Sequence, residues 1–166
     1  MKRLSERETQ LMEPEIAPVS SFDPFSAAFD AAHAAAQAGE VPVGAVVVRG
    51  GALVAVAGNR TLRDCDPTAH AEMLALRAAA ATLGSERLID CDLYVTLEPC
   101  AMCAAAISFA RIRRLYFAAA DPKGGAVEHG PRFYAQATCH HAPEVYGGIR
   151  ESEAATLLRD FFRSRR

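Results

Sequence analysis

No apolar run in this 166-residue chain approaches the roughly 20 residues that a membrane-spanning helix requires; the longest, such as Val43 to Val48, end far short of it. No membrane anchor or membrane partner is expected. Charge of one sign is lacking too. The formal net charge is −2, which removes any global electrostatic case for nucleic-acid binding, since that case often shows as a domain pI above about 9. An RNA surface, if there is one, must be local. The cysteines, Cys65, Cys91, Cys100, Cys103 and Cys139, are odd in number, so they cannot all be paired as disulfides. Nor is there a charged N-terminal segment followed by the apolar stretch of a secretion signal. A reducing, cytoplasmic compartment is the expectation. No internal repeat is evident.

What is present is the raw material of one compact domain: 51% of the residues are apolar, enough to bury a core without staples. Residues 1–21 mix charges, prolines and serines without a period and read as a flexible tail, leaving 22–166 as the domain. Asp23-Pro24 caps a helix in which Phe25, Ala28, Phe29, Ala32 and Ala36 recur at helical spacing up to Gly39; His33, on or beside that stripe, reads as structural or surface. Val43–Arg49 and Ala52–Ala57 flank Gly50-Gly51 as a hairpin. Asp66-Pro67 is expected to open an alanine-rich helix running to Leu83. Leu93–Leu97 reads as a short buried strand, 100–110 as a helix, Arg114–Ala119 as a strand and 121–142 as a long loop or short helices. Glu144–Ile149 would be an edge strand, and Glu151–Arg165 a helix with Ala155, Leu158 and Phe162 on one side. Strands alternating with helices predict an α/β layered sandwich. Arginines cluster at Arg111, Arg113 and Arg114 and again at Arg159, Arg163, Arg165 and Arg166, although each cluster reads equally well as a solvated helix face.

Pro99-Cys100-Ala101-Met102-Cys103 places two thiols three residues apart at a helix start, on one face. There the helix dipole and the free amides lower the cost of forming thiolate. Alone, the pair could be a redox couple, half of a four-cysteine site, or metal-free. His70-Ala71-Glu72, thirty residues upstream, narrows the choice. One imidazole and two thiolates make three protein ligands and leave a fourth tetrahedral position open, as in catalytic rather than structural zinc sites, and Glu72 can act as the proton carrier. Residues two apart diverge by about 200° in a regular helix, so His70 and Glu72 can serve one site only at the irregular entrance of their helix.

His-x-Glu followed by Pro-Cys-x-x-Cys resembles the signature of the zinc nucleobase deaminases. Five further stretches sharpen the likeness: Glu40–Val46, Gly58-Asn59-Arg60, Asp66–Glu72, Leu93–Cys100 and Asp160-Phe161-Phe162-Arg163. With these, the chain resembles the bacterial tRNA-specific adenosine deaminase family over roughly residues 24–166. The resemblance implies a three-layer α/β/α cytidine deaminase-like sandwich with a five-stranded mixed sheet, one Zn2+ per subunit and a homodimer. It also implies conversion of the wobble adenosine to inosine in a tRNA anticodon stem-loop, tRNA arginine being the expected substrate. By the same resemblance, Asn59 would hold the flipped nucleotide, the Ala71 backbone would contact the base, and Val43 would pack against it. Asp121, Lys123, Phe162, Arg163 and Arg165 would meet RNA, although Phe162 could equally be core. The stretch Gly125–His141, with His129, Arg132, His140 and His141, departs from the family pattern, and Cys139-His140 lacks the further ligands that a second metal site needs. Two other readings stay open: a guanine, cytosine or nucleoside deaminase on the same site, and a non-catalytic zinc module. Glu72 argues against the latter, because a structural site normally has four protein ligands and no proton carrier.

Overall fold

The structure, a computed structural model, describes residues 22–166; the expected tail over 1–21 lies outside the described residues. The elements in order are α1 (Pro24–Gln37), β1 (Gly44–Arg49), β2 (Ala52–Gly58), α2 (Ala71–Leu83), β3 (Cys91–Leu97), α3 (Ala101–Phe109), β4 (Arg114–Ala119), β5 (Glu144–Gly147) and α4 (Glu151–Arg163), with a single 3-10 turn at Phe133–Ala135. The five strands form one sheet in the order β2-β1-β3-β4-β5. β1 runs antiparallel to β2 and β3, whereas β3, β4 and β5 are parallel. The sheet is therefore mixed, as expected.

Alternation along the strands builds two cores. Ala45 and Val47 of β1, Leu93 and Val95 of β3, and Leu115 and Phe117 of β4 face α2 and α3, and pack on Ala71, Ala75, Ala79, Ala104 and Ile107. The residues between them face the other way: Val46 and Val48 pack against α1 at Ala28, while Ala118 meets Phe25, Phe29 and Ala154. Helices thus cover both faces of the sheet, which is why β1 reads as an unbroken apolar run. Alanine-rich helices let the layers approach closely. At Gly44 a Cβ would land on the α1 backbone at Ala28 and Ala32, so only glycine lets β1 begin beneath α1.

Two sequence expectations need correction. The alanine-rich helix begins at Ala71, not at Asp66-Pro67. The Asp66 side chain instead accepts from the Thr68 N–H (2.8 Å) and hydroxyl (2.7 Å), closing a turn that delays the helix. In α4 the buried stripe centres on Ala154, with Leu157 also packed inward, and Phe162 is 50% exposed; the stripe drawn through Ala155, Leu158 and Phe162 is displaced around the helix by one residue. Elsewhere the boundaries fall within two residues of expectation, β3 beginning at Cys91 rather than Leu93. His33 is exposed on α1. No helix among the described residues is long and apolar enough to cross a membrane.

Candidate active site

The C-terminal end of β3 and the N-termini of α2 and α3 meet at one end of the sheet, where crossover α/β folds place their sites. His70 precedes α2 in extended conformation (φ −71°, ψ 151°), and Cys100 precedes α3 likewise (φ −72°, ψ 174°). Both side chains therefore leave the helical path and turn toward each other, while Cys103 comes from the first turn of α3. The His70 Nδ1 lies 3.6 Å from the Sγ atoms of Cys100 and of Cys103. Zinc–nitrogen bonds of about 2.0–2.1 Å and zinc–sulfur bonds of about 2.3 Å span about 3.5–3.6 Å along a tetrahedron edge. Both histidine–sulfur separations match zinc, and all three ligand atoms lie within 4.8 Å of one another. They are the one group of three or more potential metal ligands among the described residues, and all five cysteines are free.

The electrostatics suit a cation. Hydrogen bonding from Cys103, and then from His70, holds the Cys100 thiol down at about 4. The same bond to Cys100, together with burial, pushes the Cys103 thiol up. Metal binding displaces the protons that these ligands hold. Glu72, in the first turn of α2, is 4% exposed. Burial, reinforced by the negative charge of Cys100, pushes its carboxyl up to about 7. His70 and Glu72 share the site because His70 stands just outside the helix that Glu72 begins, the one arrangement in which a His-x-Glu pair converges.

Asn59 explains why α2 starts where it does. Its Oδ1 accepts from the Ala71 N–H at 2.9 Å, and its own N–H donates to the Val43 carbonyl at 3.1 Å. Asn59, Val43 and Ala71 are thus brought together, 8%, 5% and 0% exposed. Asp121, Lys123 and Phe162 line a groove of about 480 Å3 together with Val41 and Leu97. Exposed Arg163 ends α4 and exposed Arg165 follows it, the Arg165 guanidinium lying 4.2 Å from the Phe161 ring. The even choice for Phe162 resolves in favour of surface.

The other expected clusters come apart. Arg113 forms a two-pronged pair with Asp92 (2.9 and 2.8 Å) and Arg114 meets Glu144 at 3.1 Å, so the arginines at the start of β4 are neutralised locally. In the 125–141 stretch, Cys139 donates to the His141 carbonyl at 3.2 Å, and the His141 ring meets the Ile112 carbonyl at 2.7 Å. Those contacts are structural. Sequence reasoning missed two buried carboxylates. Glu40 accepts from the N–H groups of Leu62 and Arg63 at 3.2 and 2.8 Å, tying down the loop after Asn59. Burial pushes its pKa up, but the N–H donors, the Thr61 hydroxyl and Arg63 hold it below the ordinary carboxylate value. Glu98 plays the same part for the loop after β4. An acidic residue beside a long apolar run, with a loop elsewhere whose backbone N–H groups need acceptors, is the signal that could have found both.

Residues 23–119 match the zinc-binding region of the cytidine and deoxycytidylate deaminases. A tRNA-specific adenosine deaminase of Agrobacterium fabrum is 62% identical over 135 residues, covering 81% of this chain and 89% of its own. A structure solved in a study of A-to-I editing by tRNA:A34 deaminases at the wobble position of transfer RNA superposes with a TM-score of 0.80 at 59% identity, covering 81% of this chain and 98% of that one. A guanine deaminase from Nitrosomonas europaea is similar at lower identity, with a TM-score of 0.71 and 28% identity over 87% of this chain and 84% of its own.

Proposed function

The chain belongs to the tRNA-specific adenosine deaminase family within the zinc-dependent cytidine and deoxycytidylate deaminases, and from that premise we propose that it converts a wobble adenosine of tRNA to inosine. The observation that carries the chemistry is the convergence of His70, Cys100 and Cys103 at zinc-binding separations beside the buried carboxyl of Glu72. His70, Cys100 and Cys103 would hold the zinc ion, which supplies a Lewis acid that lowers the pKa of water. Glu72 takes one proton from water and delivers it to the ring nitrogen, then takes the second from the hydroxyl now attached to carbon and delivers it to the departing amine. The C–N bond to the exocyclic amine breaks, a C–O bond replaces it, and ammonia leaves. Asn59 and Val43 would seat the base once it is turned out of the anticodon stack. Asp121, Lys123, Phe162, Arg163 and Arg165 would follow the backbone beyond it, giving a salt-dependent affinity.

The partner is a tRNA anticodon stem-loop, tRNA arginine with adenosine at the wobble position being the first to test, in the cytoplasm. Purified protein offered this stem-loop, and separately guanine, cytosine and adenosine, is expected to form inosine in the RNA alone. Efficient deamination of a free base with inert RNA would move the assignment to the small-molecule deaminases that the Nitrosomonas structure represents.

The working unit is a homodimer. Between α2 and α3, on the outer face of that layer, Met73, Leu76, Ala80, Leu88, Ala106 and Phe109 line a largely apolar groove of about 310 Å3, and Phe109 is 66% exposed. An apolar patch of this kind favours a protein contact. Because Phe109 already faces outward, Phe109→Glu costs the isolated subunit little. It is expected to turn a dimer into a monomer in sedimentation at micromolar concentration. A wild-type monomer under those conditions overturns the proposal.

A further inference from the structure

Glu98 stands between the last residue of β3 and Pro99, 2% exposed, with no lysine or arginine paired to it among the described residues. A buried carboxylate without such a cation must be satisfied by N–H donors. All of them come from the loop that follows β4. Oε1 accepts from the backbone N–H groups of Val127 (3.2 Å), Glu128 (2.8 Å) and His129 (3.0 Å); Oε2 accepts from the Asp121 N–H (2.9 Å) and meets the His129 Nδ1 at 2.8 Å. One carboxylate thereby holds both ends of the segment 121–129. Two further contacts fix its middle. The Ala126 N–H donates to the Pro99 carbonyl at 2.9 Å, and a Cβ on Gly125 would stand 2.5 Å from the Glu98 carboxyl carbon.

We propose that Glu98 and His129 are positioning residues that fix the loop bearing Asp121 and Lys123 against the Cys100 turn, so that the RNA-contacting edge is set in register with the reacting centre. The proposal rests on the RNA-deaminating reading above. Its physical content is a shared reference point. Glu98 lies two residues before a zinc ligand, so the stretch that carries Cys100 also carries the anchor of the loop. Asp121, with its N–H held by Glu98, accepts at Oδ1 from the Lys123 and Gly124 N–H groups (3.1 and 2.9 Å), closing the turn that presents Lys123 beside the groove. His129 supplies the one side-chain donor of the five. It can therefore be altered without touching a backbone group or a residue of the reacting centre.

His129→Ala is expected to raise KM for a wobble-adenosine stem-loop about tenfold, with kcat within twofold of wild type and zinc content unchanged. Backbone amides of residues 121–129 should exchange with solvent faster in the same variant. His129→Asn places its Nδ2 donor where Nδ1 stood and should restore both KM and amide protection. Gly125→Ala, whose Cβ would stand 2.5 Å from both the Glu98 carboxyl carbon and the Asp121 carbonyl oxygen, disturbs the anchor and the loop start together and should reproduce the alanine phenotype. Unchanged KM and unchanged exchange in His129→Ala overturn the proposal, as does a His129→Asn variant as impaired as alanine, or a loss confined to kcat and tracking lost zinc. Should wild-type protein leave the stem-loop unedited, it is the RNA reading that fails. Amide exchange then decides the clamp alone: faster in alanine and restored in asparagine sustains it, and no change refutes it.

Discussion

Glu72→Ala is expected to lower kcat for deamination by about 10³-fold or more, within the range that a positioned general acid–base supplies, while the protein still binds one zinc ion per chain. The loss corresponds to on the order of 4 kcal/mol of transition-state stabilisation. Its size follows from the number of transfers involved, since the same carboxyl must carry one proton from water to the ring nitrogen and a second from the newly attached hydroxyl to the amine. Glu72→Gln should fall as far, because an amide fills the same buried space but cannot carry the proton. Stability should move the other way. A carboxyl that is 4% exposed is held in the interior at a cost, so either variant should melt no lower than wild type, the trade of stability for activity common at reacting sites. Metal analysis, single-turnover inosine formation and a melting curve on one preparation separate these effects. Near-normal turnover in Glu72→Ala would remove the carboxyl from the mechanism.

Cys103→Ala is the second large expected effect. Cys103 is fully buried, and His70 with Cys100 alone would offer zinc two protein ligands. Zinc per chain should fall from one to near zero and deamination should become undetectable. A ligand that binds only the folded state stabilises it by roughly 3–4 kcal/mol at 100 to 1,000 times its dissociation constant. For a domain of this size that is on the order of 10 °C in melting temperature. Adding a chelator should therefore lower the melting temperature of wild type by about that amount and leave Cys103→Ala unmoved. A variant that retained stoichiometric zinc would show that the site lies elsewhere; one that melted with wild type in the absence of chelator would show that the metal contributes nothing to the fold.

The ligand set was legible because its chemistry is local: a His-x-Glu pair and a Cys-x-x-Cys each announce themselves within a few residues. The layered α/β architecture was legible for a similar reason, since Val43–Arg49 and Leu93–Leu97 could only be buried strands. What escaped was non-local. The start of α2 is set by the Asn59 side chain, twelve residues upstream, and no window around Asp66-Pro67 contains that information. The fixed course of 121–129 depends on Glu98, more than twenty residues earlier. The α4 stripe was displaced because its alanines and leucines fit two adjacent rotations equally well, and only contact with Phe25, Phe29 and Ala118 selects one of them. The arginines at Arg113 and Arg114 looked available because their partners, Asp92 and Glu144, lie 21 and 30 residues away.

The Asn59 cap has a consequence for recognition. A backbone N–H can only donate, so the atom facing Ala71 must be the Asn59 oxygen, and the orientation of the carboxamide is fixed by the helix rather than by any ligand. If Asn59 seats the base as proposed, the group of its carboxamide left for the ring is the Nδ2 amide, a donor. A base edge bearing a lone pair, such as N3 or N7 of a purine, is matched there, while an exocyclic amine pointing at the same spot meets hydrogen with hydrogen. Under the proposed function, base orientation would thus be sorted before any proton moves, by the group that caps the helix carrying Glu72.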